Sequence, residues 1–262
     1  MSPPSQTTFL LIPGAFCPST FFSLLTPLLT ASGYSALALD NPSFGKSPSK
    51  PPASGYDDAA ALRSTIERFA DQGQNIILVA NSYGGFVASE GTKNMSRRDR
   101  AAAGKPGGVV HIILLSSILV QVGQTVKDVL QGLTPFSMEV EEGGDAYLPM
   151  MTLEMLGDMP VPLFQSLERG EQLKYAAMCR EHCALAFADK ATYAGYEHVP
   201  TTVVIGGRDV AFSVAFQEEQ FEKAVERGVQ GLRRVLLDGD HCMMLSQPEE
   251  TAKVCLEVAE GI

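Results

Sequence analysis

Six short apolar runs recur along the chain: Thr8–Ile12, Ser35–Leu39, Ile76–Ala80, Val110–Leu115, Thr202–Ile205 and Arg234–Leu237. Most are continuous rather than alternating and rich in β-branched residues, the pattern of strands buried on both faces. Between them lie helical patterns near residues 19–32, 57–73, 84–95, 214–227 and 248–260. Strands that alternate with helices predict a parallel sheet with right-handed crossovers, hence a doubly wound α/β fold. In such folds ligands bind beyond the carboxyl ends of the strands. A reactive residue just past a strand therefore carries weight.

The alternation stops between residues 118 and 198. That stretch is too long for a plain loop and holds Tyr147, Met150, Met151, Leu153, Met155, Leu156, Met159, Phe164, Tyr175, Met178 and Phe187. It predicts a helical cap whose methionines give an adaptable apolar wall. The expected organisation is one α/β domain over residues 1–262 carrying an inserted cap subdomain over 118–198.

The third apolar run ends in the most informative segment, Ile76-Ile-Leu-Val-Ala-Asn-Ser-Tyr-Gly-Gly85. An apolar strand runs into Ser82, and a helix-compatible stretch follows at Phe86–Glu90. The small residues Ala80 and Gly84 stand two positions before and after the serine, where a tight turn folds the backbone onto itself. This is the physics of a nucleophile elbow, which presents a serine at a strand tip in a strained conformation.

A serine nucleophile needs a base, and the base needs an orienting group. Of four histidines, His111 lies inside an apolar strand, His182 in the presumed cap helix, and His198 before a strand. His241 follows the last strand across Asp238-Gly239-Asp240, on the edge where the serine lies, and is the candidate base. Asp209, past Val203-Val204-Ile205-Gly206-Gly207-Arg208, is the candidate acid; Asp238 and Asp240 read as turn formers. The order Ser82, Asp209, His241 is the chain order of triads on this type of sheet. The oxyanion donors are expected to be the backbone N–H groups of Tyr83 and Ala15, with Phe16 N–H as the alternative to Ala15; Pro13 cannot donate. Phe16 is also a candidate substrate-binding residue.

Composition narrows the partners. The formal net charge of −10 repels a phosphate backbone, so nucleic acid is not expected. The cluster Arg97, Arg98, Arg100 and Lys105 reads as a solvated loop. The longest apolar stretch, Val109–Val122, is too short to span a bilayer, and no membrane partner is expected. Met1–Gln6 lack positive charge and the following apolar run holds Pro13 and Gly14, unlike a secretory leader. Five cysteines with no CxxC spacing, two of them (Cys179 and Cys183) on one presumed helix, read as reduced thiols of a cytoplasmic protein without a metal site.

With these residues in place the chain resembles an α/β-hydrolase over nearly its whole length, and in particular the group of plant methyl esterases and hydroxynitrile lyases. Their H-G-A loop, G-H-S-x-G-G elbow, Asp-bearing loop with a Glu/Phe/Gln-rich helix, and G-x-D-H-x-x-M segment correspond to IPGAF, ANSYGG, GGRDVAFSVAFQEEQF and LDGDHCMMLSQPEE. The departures are Pro13, Ala80 and Asn81. Cyanohydrin-cleaving members carry threonine at the place of Gly14 and lysine after the histidine. Gly14 and Cys242 stand there in this chain, so the resemblance implies the hydrolytic branch.

The expected function is hydrolysis of small, mostly apolar esters or lactones through an acyl-Ser82, with no metal or organic cofactor, by a monomer or homodimer. The alternatives are a lyase or intramolecular cyclase of secondary metabolism using the same three residues, or a small-molecule receptor that barely turns over.

Overall fold

The computed structural model describes residues 6–47, 49–131, 133, 146–149, 159 and 161–262. Six strands, β1 (Thr7–Ile12), β2 (Ser35–Ala38), β3 (Asn75–Asn81), β4 (Gly108–Leu115), β7 (Thr201–Gly206) and β8 (Leu232–Leu237), form one sheet in the order β2-β1-β3-β4-β7-β8. Every pairing in it is parallel. Each of the six apolar runs falls on one of these strands. Beside the sheet lie α1 (Leu25–Ala31), α2 (Gly55–Ala70), α3 (Gly84–Gly91), α4 (Arg97–Ala102), α7 (Val214–Glu226), α8 (Met243–Ser246) and α9 (Pro248–Glu260).

Alternation along the strands splits the core in two. Leu10, Ile12, Leu78, Ala80, Val203 and Ile205 pack with Leu62, Ile66, Phe86 and Ala224 of α2, α3 and α7. Phe9, Leu11, Ile77, Val79 and Val204 pack on the other face with Leu25, Leu29, Val254 and Val258 of α1 and α9. Burial on both faces is why these strands read as continuous apolar runs; each fully enclosed side chain contributes about 1.5–3 kcal/mol. The winding direction reverses at β1, which lies between β2 and β3. The crevice at that reversal is where a ligand site belongs.

Two local features differ from the sequence reading. Residues 97–102 form α4 rather than a loop, capped by the Ser96 hydroxyl accepting from Asp99 N–H. Arg100 is not solvated: its guanidinium is buried, donating to Pro106 O and pairing with Asp71 at 2.6 Å. A cation that satisfies its donors can be enclosed, and charge spacing alone does not reveal the partners.

Within the insertion, the described residues form the short helices α5 (Val126–Val129) and α6 (Arg169–Ala176) and a two-residue antiparallel ladder of β5 (Tyr147–Leu148) and β6 (His182–Cys183). Met150, Met151, Leu153, Met155 and Leu156 lie outside the described residues. His182 and Cys183, expected on a helix, are strand residues, and Cys179 lies beyond the end of α6. All five cysteines are buried, and none is in a disulfide. Among the described residues no helix is long and apolar enough to cross a membrane.

Candidate active site

Ser82 follows β3 directly and precedes α3, and its φ is +55°. A left-handed conformation costs a non-glycine residue about 1–2 kcal/mol, so the turn must be held from outside. Ser82 N–H donates to Leu115 O at 3.2 Å, while Ser82 O accepts from Ser117 Oγ at 2.7 Å and from Gly85 N–H at 3.1 Å. Close approach completes the clamp. A Cβ on Gly14 would stand 2.9 Å from Ser82 Cβ, and one on Gly84 would stand 2.8 Å from Ile12 O. The loop after β1 therefore rests directly on the serine turn.

Asp209 and His241 meet. Asp209 lies past β7 and His241 past β8, both buried, and His241 Nδ1 is 2.8 Å from Asp209 Oδ2. Asp209 Oδ1 accepts the N–H groups of Ala211 and Phe212, each at 2.8 Å, and the Gln217 amide donates to Oδ2 at 3.4 Å. These donors fit an ionised carboxylate, so the ring proton is assigned to Nδ1 and Nε2 is left as an acceptor. The Phe212 ring packs edge-on against the imidazole, 4.7 Å between centroids.

Ser82 Oγ makes no hydrogen bond to His241 among the described residues. The two are joined instead through Asn81. Its buried amide nitrogen donates to His241 O at 2.8 Å and to Leu115 O at 3.0 Å. The residue before the serine thus ties the β3 turn, the β4 terminus and the histidine loop into one unit. In unliganded sites the serine–imidazole contact is commonly long and closes on docking.

The remaining expectations divide. Ala15 and Tyr83 flank the serine turn, and neither N–H is donated to another described residue. Phe16 N–H is not free: it donates to His182 Nδ1 at 3.3 Å. This removes Phe16 as the alternative oxyanion donor; its half-buried ring packs on His182 and Phe187. His111 bonds Thr202 Oγ1 at 3.0 Å across β4 and β7, and His198 stacks on Tyr193. Asp238 is an exposed ion-pair partner of Arg208. Asp240 is more than a turn former. It is buried, accepts Ser166 N–H at 3.0 Å and Ser246 Oγ–H at 2.7 Å, and so anchors the insertion to the histidine loop. Burial raises its carboxyl above the usual range. Among the described residues no group of three or more His, Cys, Asp or Glu side chains could hold a metal ion.

Sequence reasoning missed a second buried polar chain behind the expected oxyanion donors. His182 Nε2 is 3.0 Å from Ser43 Oγ. The Ser43 hydroxyl bonds Asp58 Oδ2, Ser43 N–H donates to Asp58 Oδ1 at 2.8 Å, and Tyr83 Oη–H donates to Asp58 Oδ2 at 2.6 Å. Burial pushes Asp58 up to about 6 and His182 down to about 3, the latter helped by the Lys50 charge. Tyr83, His182, Phe16 and Phe187 form an aromatic cluster around this chain. No spacing pattern marks these residues. Only the capping box of Ser54 and Asp57, which starts α2 and puts Asp58 in its first turn, leaves a trace in sequence.

A strained serine on a strand–helix turn, with a His–Asp pair past the last two strands of a parallel sheet, defines a class of α/β enzymes. The alpha/beta hydrolase family model matches residues 9–254, and the chain belongs to that family. It is 25% identical over 256 residues to "Probable hydrolase R7" of a Phoma species, covering 95% of this chain and 97% of that protein. In structure it is similar to polyneuridine aldehyde esterase, with a TM-score of 0.71 at 19% identity over 97% of this chain and 100% of the other. It is similar also to the methylesterase protein MES16 from Arabidopsis, with a TM-score of 0.72 at 18% identity over 98% and 100%.

Proposed function

We propose that the chain is a serine hydrolase of small, mostly apolar carboxylic esters or lactones. His241 Nε2 takes the Ser82 proton as the hydroxyl oxygen attacks the carbonyl. Asp209 holds the imidazole tautomer and stabilises the imidazolium. The N–H groups of Ala15 and Tyr83 receive the oxyanion. His241 then returns the proton to the departing alcohol, leaving acyl-Ser82. Water, deprotonated by the same imidazole, releases the acid. Phe16 forms part of the acyl or alcohol pocket, and the insertion over 118–198 acts as a cap that shields the site.

One observation carries this reading: the 2.8 Å contact of His241 Nδ1 with a fully hydrogen-bonded Asp209, beside a serine held at φ +55°. That arrangement stores its strain at the one residue that must be presented outward.

The test is turnover of aryl acetates and labelling by a fluorophosphonate, with wild type and Ser82→Ala. Wild type is expected to hydrolyse the ester with a product burst and to carry the label on Ser82. The variant should lose activity by about 10⁴-fold or more, and all of its label. Equal rates in the two proteins would remove the serine mechanism. Product formed without an adduct and without water incorporation would replace hydrolysis by lyase or cyclase chemistry.

A further inference from the structure

The buried chain Phe16–His182–Ser43–Asp58–Tyr83 has a direction. A backbone N–H can only donate, so the Phe16 contact at 3.3 Å makes His182 Nδ1 an acceptor. The neutral ring then carries its proton on Nε2 and donates to Ser43 Oγ. Ser43, having accepted there, donates its own proton to Asp58 Oδ2. Tyr83 Oη–H and Ser43 N–H donate to the same carboxylate. Every bond points toward Asp58. With Asp58, Ser43 and His182 each no more than 1% exposed, none can exchange a lost partner for bulk water.

One end of the chain grips the residue next to an expected oxyanion donor, and the other grips a donor residue itself. Phe16 directly follows Ala15 and holds a left-handed φ of +66°, a conformation an aromatic residue does not keep without restraint. Tyr83 carries the other N–H itself, and its side chain is tied to Asp58 from behind. His182 is contributed by the insertion, whose strand β6 reaches the core here; Phe44 and His182 form an isolated bridge. The ring therefore fastens the loop after β1 to a fixed point supplied by the cap region.

We propose that Asp58, Ser43 and His182 are positioning residues that latch the Ala15–Phe16 loop and the Tyr83 turn, keeping the two oxyanion donors aimed at one point. The inference rests on the hydrolase reading above and extends it. Removing an oxyanion donor outright costs about 10²–10³ in kcat, and misplacing one costs less.

The experiment compares His182→Phe with His182→Asn. Phenylalanine keeps the aromatic packing and removes the acceptor for Phe16 N–H. Asparagine loses the ring but places an amide oxygen near the position of Nδ1. Steady-state kinetics on an aryl acetate, the rate constant for phosphonylation of Ser82, and Tm are read for each. His182→Phe should lower kcat and the phosphonylation rate about ten- to hundredfold, with KM within about threefold. His182→Asn should recover most of that loss even where its Tm is the lower of the two. Wild-type kinetics in His182→Phe, or equal impairment of both variants, would overturn the latch.

Should His182→Phe fail to fold, Ser43→Ala cuts the same chain without touching the rings. It carries the same expectation, and unchanged kinetics would again overturn the proposal. Failure of the parent reading is a separate signal: activity that survives Ser82→Ala, or wild type that takes no fluorophosphonate.

Discussion

Two buried hydrogen-bond chains flank the Ser82 turn, and they are built on different principles. The arm proposed for acid–base work, His241–Asp209–Gln217, uses two residues just past strands of one sheet and a glutamine from the first turn of α7. The arm proposed to hold the oxyanion donors, Phe16–His182–Ser43–Asp58–Tyr83, draws on the loop after β1, a strand of the insertion, a loop after β2, the first turn of α2 and the serine turn. The first draws none of its members from the insertion, although Ser166 N–H and Leu163 O bond the histidine loop. The second takes His182 from the insertion, while its Ser43–Asp58–Tyr83 bonds involve no insertion residue. Under the proposed function, the insertion therefore supplies a member of one arm and only braces the other.

The comparison is sharpest where the expected effects are largest. Asp209→Asn places an amide donor against His241 Nδ1 and favours the wrong tautomer; in the best-studied serine triad the equivalent change costs about 10⁴ in kcat. Here kcat on an aryl acetate is expected to fall by about 10³–10⁴ with KM little changed. A fall under about tenfold would show that the acid–base arm does not set the rate.

Asn81→Ala removes the donors to His241 O and Leu115 O. Leu115 O keeps the Ser82 N–H, so only His241 O is orphaned, at about 1–3 kcal/mol, and denaturant titration should show a stability loss of about that size. Its effect on kcat should add, in logarithm, to that of His182→Phe, because Asn81 braces the other arm. Strong non-additivity would merge the two arms into one network.

Acid sensitivity gives the smallest and most specific contrast. His182 is pushed down to about 3 and His111 to about 4, both by burial first. The unfolded chain protonates both near 6.5. Native stability is therefore lost as pH falls from about 6.5 toward those values. Asp58, raised to about 6, has the opposite sign. The native state takes up its proton before the unfolded state does, which returns stability between about pH 6 and 4. The histidines outweigh it, and the net loss at pH 4 should be on the order of 4 kcal/mol. Denaturant titrations between pH 7 and 4 should show a shallower acid loss in His182→Asn. Asp58→Asn, where the opposing group is gone, should show a steeper one. The reverse order would contradict the assignment of the buried groups.

The same division explains what was legible in the amino-acid sequence. All six strands of the sheet, the helices near 57–73, 214–227 and 248–260, and the contact of His241 with Asp209 follow from apolar runs and from position just past a strand. Asn81 stood in plain view as a departure from the glycine–histidine–serine pattern, yet its role depends on carbonyls far off in sequence. Asp58, Ser43 and His182 carried no signal, because a buried relay is assembled by tertiary packing and imposes no spacing on its members. Arg100 was misread for the same reason. Its buried partners, Asp71 and Pro106 O, are invisible to a count of charges.

The enclosure of all five cysteines, none of them in a disulfide, makes the folded chain inert to alkylating dyes until some segment opens. Cys179 and Cys183 report on the insertion, Cys17 on the loop after β1, Cys242 on the loop that carries His241, and Cys255 on the helix packed behind the sheet. The order in which these sulfurs take up label records which part lets go first, so the protein carries its own clock for the sequence in which its halves come apart.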